Sequence, residues 1–155
     1  MNKDLLPAEG ECRCGKIAMR IDAPPILTMA CHCSGCQKMS ASAYSLTAAI
    51  PRDAFSVTRG EPVIGGLHGE DARHFFCPYC MTWLFTRLND SLPFVNVRPT
   101  LFANLAWSTP FIETWTREKL PWAKTPAVHS FPEFPPPTSF KGLLQAYAQH
   151  VQAQA

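Results

Sequence analysis

Apolar and polar residues alternate in short runs along most of the chain. Residues 16–22 set Ile17, Met19 and Ile21 on one side of an extended segment, the period-two pattern of a half-buried strand. Pro24-Pro25 ends it, and residues 26–30 form a second short strand. Residues 43–50 predict a third strand, stopped by Pro51, and residues 53–58 another, carrying Phe55 and Val57. Residues 62–68 and 72–77 flank Gly69-Glu70-Asp71 and predict a hairpin. Residues 82–88 and 94–97 complete the run. A mainly β core follows.

The pattern changes near residue 118. Six prolines, at 121, 126, 132, 135, 136 and 137, are interleaved with Trp122, Phe131 and Phe134 over 118–138. An extended segment pinned by its aromatics is expected, since a free linker rarely carries so many. Phe140, Leu143, Leu144, Tyr147 and Val151 then fall at helical spacing, with Thr138 or Ser139 as N-cap. The expected organisation is a β-rich unit over 1–138 and an amphipathic helix over 139–155. That helix packs on its own unit or, alternatively, at a homodimer contact.

Composition narrows the class. The 155 residues are 46% hydrophobic and 17% charged, proportions of a globular chain. A net charge of +2, with 14 basic residues spread along the sequence, gives no footprint for a nucleic-acid partner. No apolar run approaches the roughly 18 residues of a membrane helix, so no membrane partner is expected. Residues 1–7 have no apolar core of an export signal, and a cytoplasmic location with reduced thiols is the expectation.

Seven cysteines then dominate the picture, because they cluster: Cys12 and Cys14, Cys31, Cys33 and Cys36, and Cys77 and Cys80. Core cysteines need no neighbour two or three residues away; metal ligands do, since one ion must be reached from one turn. An odd number also cannot close into intramolecular disulfides alone. Residues 9–15 read as the turn carrying the first pair, with Gly15 free to take a left-handed conformation. Joined, Cys12, Cys14, Cys77 and Cys80 make a closed four-thiolate site that stabilises the fold and leaves no position for substrate. Cys31, Cys33 and Cys36, on one short loop, supply three ligands, the number found at catalytic zinc. The alternative is a second structural site closed by His32, His68, His74 or His129. His32 lies between two ligands and is expected to point away from the metal.

Ligand softness constrains the reaction. Three thiolates neutralise a dication and leave one net negative charge, which makes a poor generator of hydroxide. A soft fourth ligand suits such a centre, and a substrate thiolate is the obvious one.

The motifs Cys12-x-Cys14-Gly15, Cys31-His32-Cys33-x-x-Cys36-Gln37-Lys38 and Phe76-Cys77-x-x-Cys80, with Pro110 to Trp122 after them, resemble the glutathione-dependent formaldehyde-activating enzyme family, which includes centromere protein V. The resemblance covers residues 10–122 and implies a β-tent of small antiparallel sheets organised around zinc sites. It further implies two zinc ions per chain: a structural one at Cys12, Cys14, Cys77 and Cys80, a catalytic one at Cys31, Cys33 and Cys36. The implied reaction is that of a carbon–sulfur lyase, joining glutathione or a similar small thiol to formaldehyde or a similar aldehyde. Lys38 is the candidate donor to the developing alkoxide. Two positions depart from the family: Met81 stands where glycine usually follows the last cysteine, and Pro99-Thr100-Leu101-Phe102-Ala103-Asn104-Leu105 replaces an aspartate-bearing stretch. The rival readings are a structural zinc module for protein or nucleic-acid interaction and a thiol redox protein using Cys77 and Cys80.

Overall fold

The alternation at 17–21 becomes the middle of a small sheet. In the computed structural model, which describes residues 6–153, Ala18–Ile21 (β2) pairs antiparallel with Ala8–Glu11 (β1) and Phe55–Arg59 (β5). Ile17, Met19 and Ile21 are buried, as the period-two pattern requires. The second sheet holds Leu27–Cys31 (β3), Ser45–Pro51 (β4), Val63–Gly65 (β6), Ala72–Phe76 (β7), Trp83–Leu88 (β8), Phe94–Val97 (β9), Ile112–Thr114 (β10) and His129–Ser130 (β11). Its order is β11-β10-β3-β4-β9-β8-β7-β6, antiparallel except where β10 runs parallel to both β3 and β11.

The main core joins the inner faces of the two sheets. Met19, Ile21 and Phe55 pack against Ile50, Leu84, Phe85, Val95 and Val97. Burying each large side chain contributes about 1.5–3 kcal/mol. A second cluster lies beside β3, where the C-terminal helix Phe140–Ala153 (α2) buries Leu143 and Tyr147 against Leu27, Phe111 and Ile112.

Several elements differ from the sequence expectation. β1 sits where a polar turn was expected: Ala-Glu-Gly-Glu has no apolar alternation, and only Gly10 is buried. A Cβ at Gly10 would lie 2.9 Å from the Phe102 ring, so this strand edge needs glycine. Ser34–Ser40 (α1) is a short helix rather than a loop; it has no buried face, so no apolar period announced it. β10 and β11 lie in the stretch given no strand, because a buried Glu113 interrupts the apolar pattern of β10.

The hairpin at 62–77 forms, with β6 pairing antiparallel to β7. Thr138 and Ser139 do not cap α2. They belong to a 3-10 turn over Pro137–Ser139 that runs directly into the helix, with Ser139 N donating to Pro136 O at 2.8 Å. The aromatics of 118–138 are not uniformly pinned either. Phe131 packs on the second core and Phe134 meets Trp115 edge-on, but Trp122 is 71% exposed. Among the described residues, no helix is long and apolar enough to cross a membrane.

Candidate metal centres and a neighbouring cavity

Two matching turns build the first cysteine cluster. In one, Cys12 N donates to Ile17 O and Gly15 N to Cys12 O, with Gly15 at φ 74°. In the other, Cys77 N donates to Thr82 O and Met81 N to Cys77 O, with Met81 at φ 54°. Glycine adopts that conformation freely and methionine does so under strain, which places the family's usual glycine and its replacement at the same turn position. Lys16 lies 3.7 Å over the Tyr79 ring and ties the two turns together.

The sulfurs of Cys12, Cys14, Cys77 and Cys80 all lie within 4.8 Å of one another. Cys12 Sγ and Cys14 Sγ are 3.4 Å apart, and Cys14 Sγ and Cys77 Sγ, 63 positions apart in sequence, are 3.7 Å apart. Tetrahedral zinc with bonds of about 2.3 Å holds its sulfurs about 3.8 Å apart, so this spacing fits the ion. The Cys80 thiol is held low, at about 5, chiefly by the Thr82 hydroxyl.

The second cluster joins the end of β3 to the start of α1. Cys31 closes the strand, and Cys33 is the N-cap of the helix, its sulfur accepting from Cys36 N at 3.3 Å. One turn of helix thereby folds Cys36 back over Cys33. Cys31, Cys33 and Cys36 form a group of three sulfurs within 4.8 Å. Cys31 is held at about 5 by the hydrogen bond from Cys36, with help from the Cys33 backbone and the Thr114 hydroxyl and against the effect of burial. Cys36, which donates to Cys31, is pushed up in return. Both clusters could therefore hold a metal ion, and their all-thiol donor sets suit zinc.

No histidine nitrogen or carboxylate oxygen joins either group among the described residues. His32 turns away from the sulfurs, fully buried, and its Nε2–H donates to Glu113 Oε2 at 3.0 Å. His74 bonds the Thr86 hydroxyl, His68 bonds Gly66 O, and the His129 ring packs on Phe111. Glu113 is the anchor behind the cluster: besides His32 it accepts from Lys119 Nζ, Thr125 Oγ1 and Ser130 Oγ, at 2.7–3.0 Å. Burial opposes its charge, yet those donors hold its carboxyl at about 2. The segment after β10 also grips α1, since Ser34 N donates to Glu118 Oε2 and Gln37 Nε2 to Glu118 O.

A cavity of about 800 Å³ is lined by residues that follow each cluster in sequence, within 39–46 after one and 81–83 after the other, though by none of the cysteines themselves. Trp122 and Lys124 line it as well. Its lining contains two cations, Arg98 and Lys124, and no carboxylate. Arg98 is buried; burial pulls its pKa down to about 10, while attraction to Cys36 and Cys31 opposes that shift. Lys38 is exposed on α1 and is not among the lining residues. Sequence reasoning missed both Arg98 and Glu113. Glu113 lies in the stretch Pro110 to Trp122 that carried part of the resemblance, but nothing local marks either residue as buried.

A mainly β scaffold with two thiol clusters, each able to hold a metal ion, is thus the class that fold and site define. The chain matches the model of the glutathione-dependent formaldehyde-activating enzyme over residues 7–118, and it belongs to that family. A Penicillium rubens protein, provisionally named a glutathione-dependent formaldehyde-activating enzyme, is 30% identical over 92 residues, which are 56% of this chain and 48% of its own. The chain therefore spans about half the length of this curated relative. A solved Rhodobacter sphaeroides protein, 20% identical, aligns with a TM-score of 0.50 over 62% of this chain and 88% of its own, a likeness of fold.

Proposed function

We propose that the protein is a zinc-dependent carbon–sulfur lyase acting on the adduct of a small, glutathione-like thiol and a small, formaldehyde-like aldehyde. The observation that carries this is the cluster of Cys31, Cys33 and Cys36, three sulfurs that no further cysteine, histidine or carboxylate joins among the described residues, in a member of this family. Cys12, Cys14, Cys77 and Cys80 complete four ligands and serve the fold. Zinc at the three-thiol cluster would supply a soft position that favours the substrate thiol in its thiolate form.

In the forward direction the substrate sulfur forms a bond to the aldehyde carbon, and the carbonyl π pair moves to oxygen, which takes up a proton. Cleavage runs the same steps backwards. Ser40, Ser42, Tyr44, Ser45, Thr82 and Thr100 are the lining hydroxyls that could deliver that proton, in place of the exposed Lys38. The lining, cationic without a carboxylate, favours an anionic thiol such as glutathione.

The test compares Cys33→Ser with Cys77→Ser. Wild-type protein purified without chelator should hold about two zinc ions per chain. Cys77 is fully buried where two distant turns meet, so Cys77→Ser should lower the melting temperature sharply. Cys33→Ser should retain about one ion and a folded β core while losing thiol–aldehyde adduct exchange, followed by NMR. If Cys33→Ser melts as early as Cys77→Ser, both sites are structural and the lyase reading fails.

A further inference from the structure

Arg98 presents an unresolved charge. It is only 8% exposed, and among the described residues its hydrogen bonds all go to neutral acceptors: Leu46 O, Thr47 Oγ1 and Thr86 Oγ1. The guanidinium stacks 3.8 Å over the Trp83 ring, and its buried Nε has no partner. Among the described residues no carboxylate lies within ion-pair distance of it. A buried cation without a counter-ion is costly, and neutral dipoles compensate it only in part.

Its place in the sheet relates it to the three-thiol cluster. Arg98 directly follows β9, whose Val97 pairs with Ala48 of β4. Its side chain reaches back along β4 to Leu46 and Thr47, next to Ser45, and Ser45 is the residue paired with Cys31 of β3. The guanidinium thus sits one strand away from the three-thiol cluster.

We infer that Arg98 is the buried counter-charge of the Cys31–Cys33–Cys36 centre, a positioning residue that lets the centre accept an anionic thiol. The inference rests on the proposed function. Three thiolates around a dication would carry one net negative charge, and an incoming thiolate would add a second. A fixed guanidinium beside the centre offsets that second charge without occupying the ligand position. Metal affinity and thiol affinity should therefore both depend on the charge at residue 98, not on its hydrogen bonds.

Arg98→Gln removes the charge and keeps an amide donor, whereas Arg98→Lys keeps the charge and changes the donor geometry. Zinc affinity of the second site is measured by chelator competition, and binding of glutathione and of uncharged 2-mercaptoethanol to zinc-loaded protein by calorimetry. The expected result is that Arg98→Gln weakens zinc and both thiols by about ten- to a hundredfold, while Arg98→Lys stays near wild type. Loss of glutathione binding alone would make Arg98 a carboxylate anchor and overturn the inference. Unchanged metal and thiol affinities with a lowered melting temperature in both variants would make Arg98 purely structural and overturn it equally. A wild-type protein that takes up no second zinc or binds no thiol would instead refute the proposed function, before any variant is compared.

Discussion

Replacing Glu113 with glutamine removes one charge and leaves the shape of the side chain almost unchanged. In the native protein that carboxylate accepts from His32, Lys119, Thr125 and Ser130 and is 7% exposed. Its pKa is depressed from the ordinary 4.5 to about 2. The folded state therefore holds the charged form more tightly than the unfolded chain does. The gain is complete above the unfolded value and is lost as pH falls through 4.5 towards 2. That gap corresponds to about 3 kcal/mol at neutral pH. Urea unfolding of both proteins with zinc in excess, followed by tryptophan fluorescence, should show Glu113→Gln less stable by about that amount at pH 7. The stability difference should stay flat from pH 8 to 6 and fall below half its value by about pH 3. Taking the difference between two proteins with identical cysteines removes the acid sensitivity of the metal sites. A cost under about 0.5 kcal/mol at pH 7, or a difference that persists unchanged into acid, would refute the account of Glu113 as a buried anionic anchor.

Two further expectations concern packing and backbone. Leu143→Ala, at the 7% exposed contact of α2 with Leu27 and Phe111, should cost about 2–5 kcal/mol in a urea melt, and Leu144→Ala, at a half-buried position, clearly less. Equal costs would mean that α2 docks by a different face. Met81→Gly should raise stability by about 0.5–1 kcal/mol, since relief at φ 54° outweighs the added freedom of the unfolded chain. A drop in melting temperature would show that the Met81 side chain, although 60% exposed, contributes more through the cavity wall than its backbone costs.

What could be read from the sequence was local. Ile17, Met19 and Ile21 announced a strand because each residue carries its own burial signal at period two, and all three are buried. The grouping of the cysteines and the positive φ of Gly15 were equally local, set within one turn. The missed features depend on partners far away in the chain. Glu113 meets His32 across 81 positions, and Arg98 meets Leu46 across 52, so neither environment leaves a trace in neighbouring residues. α1 was missed for a different reason: seven residues without a buried face give no period, and its start is set by the Cys33 sulfur rather than by a serine or aspartate cap.

The two cysteine clusters are mechanically connected in one direction. Thr82, whose hydroxyl lies 3.1 Å from Cys80 Sγ, is followed by Trp83, and the Trp83 ring carries the Arg98 guanidinium. Met81, Thr82 and Trp83 also line the cavity, together with Tyr44 and Ser45. Disrupting the first cluster would therefore displace the platform under Arg98 and open the cavity, in addition to weakening the core. The second cluster has no comparable hold on the first: its three sulfurs come from the end of β3 and from α1, a helix with no buried residue. Loss of a ligand there leaves the Cys12–Cys14 and Cys77–Cys80 turns with all their backbone bonds. Cys77→Ser should consequently lose stability and chemistry together, and Cys33→Ser only chemistry. That asymmetry is what a structural metal site placed behind a reactive one would produce.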